Sequence, residues 1–462
     1  MDTLGITHSV CEICRSVIPA KIESDGRDVF FLKFCPRHGQ QRVFVRSRVD
    51  DYLSSQRFVK PAWTPEEFAG DARAACPDGC GSCGRHEQHL CMPIVEITSR
   101  CDLDCPVCLV DAGGNWEMAP GDFSALLDTL IRAEKQVDVL NLSGGEPLLH
   151  SELLTLVDEA LLRPEIVRVS ISTNGLALLE NPSLLEALHK RNVVISLQFD
   201  GFDDKAYEIL RGRRLLDEKT RILRLLEEEG ISTSLTMTAA RGVNDEQFRP
   251  ILDYVFSHEH IVSLMIQPLA FAGRGAALGR ERRRLTIPDV VEALGRSGHP
   301  FVSATDFVPL PCSHPLCFSL AFYLMLDGGG AVSVNSLSEA DSLLDALSNR
   351  VVFGLDPEEH ERLKDMLYAL WSGPAASAPD SAAVIATVQR IMRQVAKSRY
   401  EPRAAFTLAE RQVKSIFLHA FQDADTFDLA RVRRCCQAYP QPDGSIVSPC
   451  VRNVLRRPSC RA

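Results

Sequence analysis

No run of about eighteen consecutive apolar residues occurs in this 462-residue chain, so a membrane-spanning helix is not expected. The stretch Met1 to Arg15 lacks a basic region followed by an apolar one, so no secretory signal is read there and the cytoplasm is the expected location. Excess positive charge is missing too. Net charge is −10 with acidic and basic residues interspersed, which argues against nucleic-acid binding. There is no internal repeat beyond a strand–helix alternation, and no aromatic or basic constellation names a head group.

Cysteine, by contrast, is plentiful, at sixteen residues. In a reducing compartment disulfides are not the first reading. The cysteines also fall in tight groups: Cys11 and Cys14 with Cys35; Cys76, Cys80, Cys83 and Cys91; Cys101, Cys105 and Cys108; Cys312 and Cys317; Cys435, Cys436 and Cys450. Spacings of two or three residues aim several thiolates at one point, which suits metals.

The chain divides into four parts. Residues 1–45 read as a β-rich metal knuckle, 46–92 as a connector ending in a Gly- and Cys-rich segment, 93–275 as an α/β domain, and 276–462 as a Cys-rich C-terminal extension. In the α/β part, β-branched runs at Ile94–Thr98, Val137–Leu142, Ile166–Ser172, Val193–Phe199, Ser232–Thr238 and Val262–Gln267 predict strands. Helical periodicity fills the intervals at Phe123–Lys135, Leu153–Leu162, Leu184–Lys190, Glu218–Glu229 and Glu246–His258. Such alternation implies parallel strands with right-handed crossovers. Six units fit an incomplete (β/α)6 barrel better than a closed one of eight, with an open doubly wound sheet as the alternative. Ligands are expected at the carboxyl ends of the strands. Further helices are predicted over Asp356–Ser372 and Ala383–Lys397.

The first strand of this domain runs directly into C-D-L-D-C-P-V-C, Cys101 to Cys108. Three thiolates on a four-iron cluster leave one iron without a protein ligand, open to the amino and carboxylate groups of a methionine. An electron passed to a sulfonium there breaks a carbon–sulfur bond and gives a 5′-deoxyadenosyl radical; the protein supplies position, shielding and redox tuning. Ser143-Gly-Gly-Glu-Pro147 ends the second strand, where Gly144 and Gly145 permit close backbone approach and Glu146 can accept from an ammonium group. Ser172-Thr-Asn-Gly175 ends the third strand, and Ser196, Gln198 and Asp200 end the fourth. These motifs make residues 93–275 resemble the radical S-adenosylmethionine (SAM) superfamily. The resemblance implies a partial barrel of about six β/α units. It assigns Cys101, Cys105 and Cys108 to the catalytic cluster. Gly144, Gly145 and Glu146 go to the methionine end of the cofactor, with Ser172 and Asn174 beside it. Gln198 falls near the ribose and Arg211 near the carboxylate.

Elsewhere, Cys76, Cys80, Cys83 and Cys91 could ligate a second 4Fe–4S cluster, with a four-cysteine zinc site as the alternative. Cys11-x-x-Cys14 with Cys35-x-x-His38 is a two-knuckle pattern that either Zn²⁺ or a single Fe fits, most simply as a staple for a very small domain. Cys312, Cys317 and Cys450, with Cys436 or its neighbour Cys435, would make a third site closing the tail over the barrel. His314 is a candidate contact there, and Cys460 a bystander.

Taken together, the knuckles, C-P-x-x-C-G-x-C, P-C-S-H-P-x-C and the R-C-C…Y-P-x-P-D-G…P-C tail resemble the archaeal tetraether lipid synthases and related pterin methylases, nearly end to end. The resemblance implies three 4Fe–4S clusters, one mononuclear Fe or Zn, and radical carbon–carbon bond formation at an unactivated carbon. The preferred expectation is coupling or alkylation of lipid chains, with an apolar channel lined by helices Leu363–Trp371 and Val384–Val395. The alternatives are methylation of a pterin-like molecule and a peptide-modifying maturase. An electron donor such as ferredoxin or flavodoxin is the expected partner, and a lipid substrate would add contact with a membrane surface.

Overall fold

The computed structural model describes residues 1–68, 76–80, 83–110, 112–278, 284–311, 313–337, 381–397 and 401–457. Cys312, Cys460 and the helix expected over 356–372 lie outside the described residues.

The N-terminal part is a four-stranded antiparallel meander of β1 (Asp2–Val10), β2 (Val17–Ser24), β3 (Val29–Cys35) and β4 (Gly39–Arg46), followed by the short helix α1 (Val49–Ser55). Its apolar face, with Val29 and Phe31, packs beside Leu316 of the distant C-terminal part. Lys33, fully buried, donates to the carbonyls of Val10 and Ala424. Burial pushes this ammonium down to about 8. Thr7 donates to Asp428, so the meander is docked on the tail rather than tethered beside it.

The central domain is a wrapped parallel sheet. β5 (Met92–Thr98), β6 (Val137–Gly144), β7 (Ile166–Thr173), β8 (Val194–Gln198), β9 (Thr233–Ala239) and β10 (Ile261–Pro268) pair in sequence order and in parallel. Helices α2 (Pro120–Glu134), α3 (Leu153–Leu161), α4 (Leu176–Glu180), α5 (Pro182–Lys190), α6 (Asp204–Arg211), α7 (Leu216–Glu228) and α8 (Phe248–Ser257) connect them. Strands covered on their outer face by helices and facing a lumen on the other are largely buried, which is why they read as branched aliphatic runs. The outer core joins Val95, Ile97, Leu140, Leu142, Val169 and Ile171 to Phe123, Leu127, Leu156 and Leu223 of the helices. Helix ends obey local chemistry. Pro120 opens α2, the Asp203 side chain caps α6 by accepting from Lys205 N, and Gly212 ends α6 in the left-handed region.

Two later segments extend the sheet beyond the six expected strands. After α9 (Ile287–Arg296) come β11 (Val308–Pro309), β12 (Phe318–Met325) and β13 (Ala331–Ser333), then α10 (Ser381–Lys397) and α11 (Pro402–Gln412). β14 (Val413–His419) adds parallel to β10 and carries β12 antiparallel on its other side. At the opposite edge, after α12 (Leu429–Arg433), β15 (Gln437–Pro440) adds parallel to β5, with β16 (Ile446–Val447) beyond it. The C-terminal part therefore completes the sheet at both edges instead of forming a separate lid. Among the described residues no helix is long and apolar enough to cross a membrane.

Candidate active site and substrate lumen

The cysteine loop leaves the end of β5 and is tied to the end of β6. Gly145 N donates to Thr98 O (2.7 Å) and Glu146 N to Arg100 O (2.6 Å). Gly144 has φ +132°, and a Cβ at either glycine would strike backbone carbonyls of Thr98 or Arg100. The glycine pair is thus required for the strand ends and the cysteine loop to meet. Cys101, Cys105 and Cys108 are free thiols grouped on this loop, and burial pushes the Cys101 thiol up to about 12. Arg274 N donates to Cys108 O (3.0 Å), so the loop is tethered at both ends, which suits a cluster shared by three thiolates.

Glu146 is 1% exposed. It accepts from Thr173 Oγ1 (2.6 Å), Asn174 N (2.7 Å) and Leu148 N (3.0 Å), and burial pushes it up to about 7. Its observed partners are thus donors of the chain, binding the end of β6 to the end of β7. Asn174 Nδ2 donates to Asp102 Oδ1 (2.6 Å), inside the cysteine loop. Gln198 is held between Asp200 and Lys219. Arg211, the last residue of α6, makes a two-pronged pair with Asp200 (2.7 and 2.8 Å) and also donates to Thr238 Oγ1. Motif reading did not single out Lys219. This side chain is fully buried, donates to Asn174 O (2.6 Å) and Gln198 Oε1 (3.0 Å), and is pushed down to about 7 by burial. Its position three, four and seven residues before Ile222, Leu223 and Leu226, which are also buried, is the signal that could have found it. The network Asp102–Asn174–Lys219–Gln198–Asp200–Arg211–Thr238 joins the ends of β7, β8 and β9 to the cysteine loop.

Ser172 faces elsewhere. It lines a cavity of about 210 Å³ inside the barrel and donates to Asn141 Oδ1 (3.0 Å). Register places Ser172, Ser196, Ser234, Ser263 and Ser415 opposite one another across five adjacent parallel strands, β7 to β10 and β14, and all five line this cavity. Barrel layers are ordinarily filled by branched aliphatic side chains; a row of serines leaves room and supplies neutral hydrogen-bonding groups. Phe318, Phe322, Phe417 and Phe421 wall one side. At the amino-terminal end of the strands Arg168 and Glu410 of α11 form a buried ion pair, with Ser232 also donating to Glu410.

The remaining cysteines gather where the tail meets the connector. Cys91, Cys317 and Cys436 share one packed apolar cluster, and Cys76 and Cys80 pack against the cluster that contains Cys450. Burial and then the nearby Cys450, Cys436 and Cys317 push the Cys435 thiol up, and burial with a contribution from Cys83 pushes up Cys76 and Cys80. Because β15 pairs with β5, Cys91 N donates to Cys436 O (2.9 Å) and the tail is brought to the connector. Arg431 Nε donates to Cys317 Sγ (3.2 Å), a cation suited to a metal-bound thiolate. Cys435 Sγ donates to Gln437 O, and burial pushes the His314 imidazole far down.

The N-terminal quartet is a compact donor set. One atom each of Cys11, Cys14, Cys35 and His38 lies within 4.8 Å of the others, with His38 Nδ1 at 3.5 Å from both Cys11 Sγ and Cys35 Sγ. Hydrogen bonding at Ser16 draws the Cys14 thiol down to about 5. This set fits one tetrahedral ion. Cys35→Ser is expected to lower bound metal by about one ion per chain and to expose the amides of β1–β4 to hydrogen exchange while the barrel strands stay protected. Metal analysis with exchange mass spectrometry checks this, and unchanged metal content refutes the quartet.

Residues 95–255 match the radical SAM superfamily. The chain carries a radical SAM domain. Residues 3–47, ahead of the radical SAM domain, match the HMPTM N-terminal zinc ribbon domain. The chain is 26% identical over 490 residues to the 7,8-dihydro-6-hydroxymethylpterin dimethyltransferase of Methanocaldococcus jannaschii, covering 98% of this chain and 94% of that enzyme. It is 27% identical over 170 residues to the GTP 3′,8-cyclase of Staphylococcus haemolyticus, 35% of this chain and 49% of the cyclase, so it spans about half of that enzyme. Among solved structures, Streptococcus suis SuiB bound to its precursor peptide SuiA overlaps 45% of each chain at 16% identity and a TM-score of 0.39. A radical SAM methyltransferase from Sphaerobacter thermophilus overlaps 60% of this chain and 73% of its own at 13% identity and 0.34. At such scores these two superpositions carry no argument about the site.

Proposed function

We propose that this radical SAM enzyme methylates a pterin-like heterocycle held in the barrel lumen. The observation that carries the reading is the lumen itself: about 210 Å³, hydroxyl-lined on five strands and walled by phenylalanines on one side. A flat, neutral, hydrogen-bonding ring suits such a wall better than an alkyl chain does. Of the two helices expected to line an apolar channel, Leu363–Trp371 lies outside the described residues. Val384, Val388, Ile391 and Val395 of α10 are spent on a core cluster with Leu324 and are absent from the lumen. The full-length similarity to a pterin dimethyltransferase points the same way.

The roles of the chain's own residues follow. Cys101, Cys105 and Cys108 would hold the cluster. Gly144 and Gly145 would bring backbone against the cofactor, and the Asp200–Arg211 pair would fix the wall beside it. Bound there, cluster and SAM would supply a 5′-deoxyadenosyl radical that takes the ring hydrogen; the methyl group that replaces it would come from a second SAM, with one electron consumed for each SAM. The lumen orients the ring and shields the reacting carbon from water. The electron would come from a small reductant protein of the ferredoxin or flavodoxin type.

Incubated anaerobically with SAM, a reductant and 7,8-dihydro-6-hydroxymethylpterin, the metal-loaded enzyme is expected to release 5′-deoxyadenosine together with a methylated pterin, read by mass spectrometry. An unmodified pterin alongside coupled or alkylated lipids in cell extracts would overturn the proposal.

A further inference from the structure

Gln437 opens β15, is 2% exposed and lines the lumen. Its Oε1 is buried and accepts no hydrogen bond from the described residues. Buried amide oxygens are almost always paired in native structures, so an orphan in a side chain that lines a cavity marks an amide that can turn to a ligand's donor. Asn141 lies one strand beyond β5 on the same wall. Its Oδ1 already accepts from Ser172 Oγ, which makes Nδ2 the atom it can offer to a ligand.

Register fixes the relation between the two. Gln437 pairs with Met92 and Asn141 with Ile94, and both of those β5 residues line the lumen. An acceptor and a donor therefore flank a single strand on the inner face. The charged lumen residues, Arg168 and Glu410, are bound to one another. A neutral ligand is favoured, since a charged one would find no uncommitted counter-charge there.

From this juxtaposition we infer that Gln437 and Asn141 read the lactam edge of the substrate ring, the ring N–H donating to Gln437 Oε1 and the adjacent ring carbonyl accepting from Asn141 Nδ2. This rests on the heterocycle reading above and sharpens it. The recognised chemistry is a ring N–H beside a C=O, which pterins and guanine share. It also gives the Cys-rich tail a role at the substrate, because Gln437 directly follows Cys435 and Cys436.

The test is equilibrium dialysis of the anaerobic, metal-loaded full-length protein with three probes: 7,8-dihydro-6-hydroxymethylpterin, its N3-methyl derivative and guanosine. Wild type is expected to bind the N3–H pterin about tenfold or more tighter than the N3-methyl compound. Gln437→Met keeps length and volume but removes the acceptor. It should bind the pterin about tenfold more weakly and bring the two pterins to within about twofold of each other. A general packing defect would weaken both equally, so a retained N3 preference in Gln437→Met overturns the inference. Should that variant lose its metal, Asn141→Leu carries the test. It should weaken the pterin about tenfold while keeping the N3 preference, and unchanged affinity overturns the donor assignment. Guanosine binding with the same dependence on Gln437, and no pterin binding, would uphold the lactam reading and defeat the pterin one. Binding of neither by wild type defeats both.

Discussion

Replacing Cys101, Cys105 and Cys108 together by alanine is expected to reduce 5′-deoxyadenosine release under strong reductant to background, a fall of at least about three orders of magnitude. The loop carries no other thiol, and its tethers to β6 run through backbone atoms of Thr98 and Arg100, which the substitutions leave in place. The fold should survive, and any metal held by the other cysteines should stay bound, because Cys76, Cys80, Cys91, Cys317, Cys436 and Cys450 pack apart from Cys101 and Cys105. Two measurements decide it: product release by chromatography and iron content before and after substitution. Undiminished cleavage in the triple variant would refute the assignment of the radical site.

A single methyl group at Gly145 should be nearly as damaging. A Cβ there would stand 2.7 Å from the carbonyl carbon of Arg100 and 2.9 Å from Ser99 O, and closer still to Arg100 O. All three are backbone atoms of the loop that carries Cys101, so no side chain can swing aside. Relief requires β5 and β6 to part at their carboxyl ends, breaking Gly145 N–Thr98 O and Glu146 N–Arg100 O. Overpacking of this kind costs about 3 kcal/mol, which as lost cofactor affinity is a factor of about 100. Gly121 in α2 is the matched control, since a Cβ there meets nothing within 4 Å. Gly145→Ala should lose SAM binding by calorimetry and Gly121→Ala should not; equal affinity in the two would show that the glycine turn does not shape the cofactor site.

The central strands were legible because each is buried on its helix-covered face over several residues, and burial writes itself as branched aliphatic runs. The cysteine loop and glycine turn were legible because metal and backbone geometry constrain short spacings. Helix α6 went unread although Ala206, Tyr207 and Leu210 recur at helical spacing, because it spans barely two turns between charged residues. β14 and β15 escaped for another reason. Their pairings with β10 and β5 span great sequence distances, and nothing local in V-K-S-I-F-L-H or Q-A-Y-P announces the partner. Lys219 was hidden in Asp217-Glu218-Lys219-Thr220, which reads as a solvated face until the inward register of α7 is applied.

The serine row separates two tasks that many enzymes fuse. Cofactor contacts would occupy the tips of the strands, whereas the cavity is carved from inward positions along them by leaving methyl groups out. Exchanging Ser for Val, Thr or Ala along Ser172, Ser196, Ser234, Ser263 and Ser415 would resize the chamber in single-methyl increments without touching a thiolate or the glycine turn. A barrel arranged this way can diverge in what it modifies while its ignition chemistry stays constant, and sequence variation among relatives should concentrate on the inward mid-strand positions.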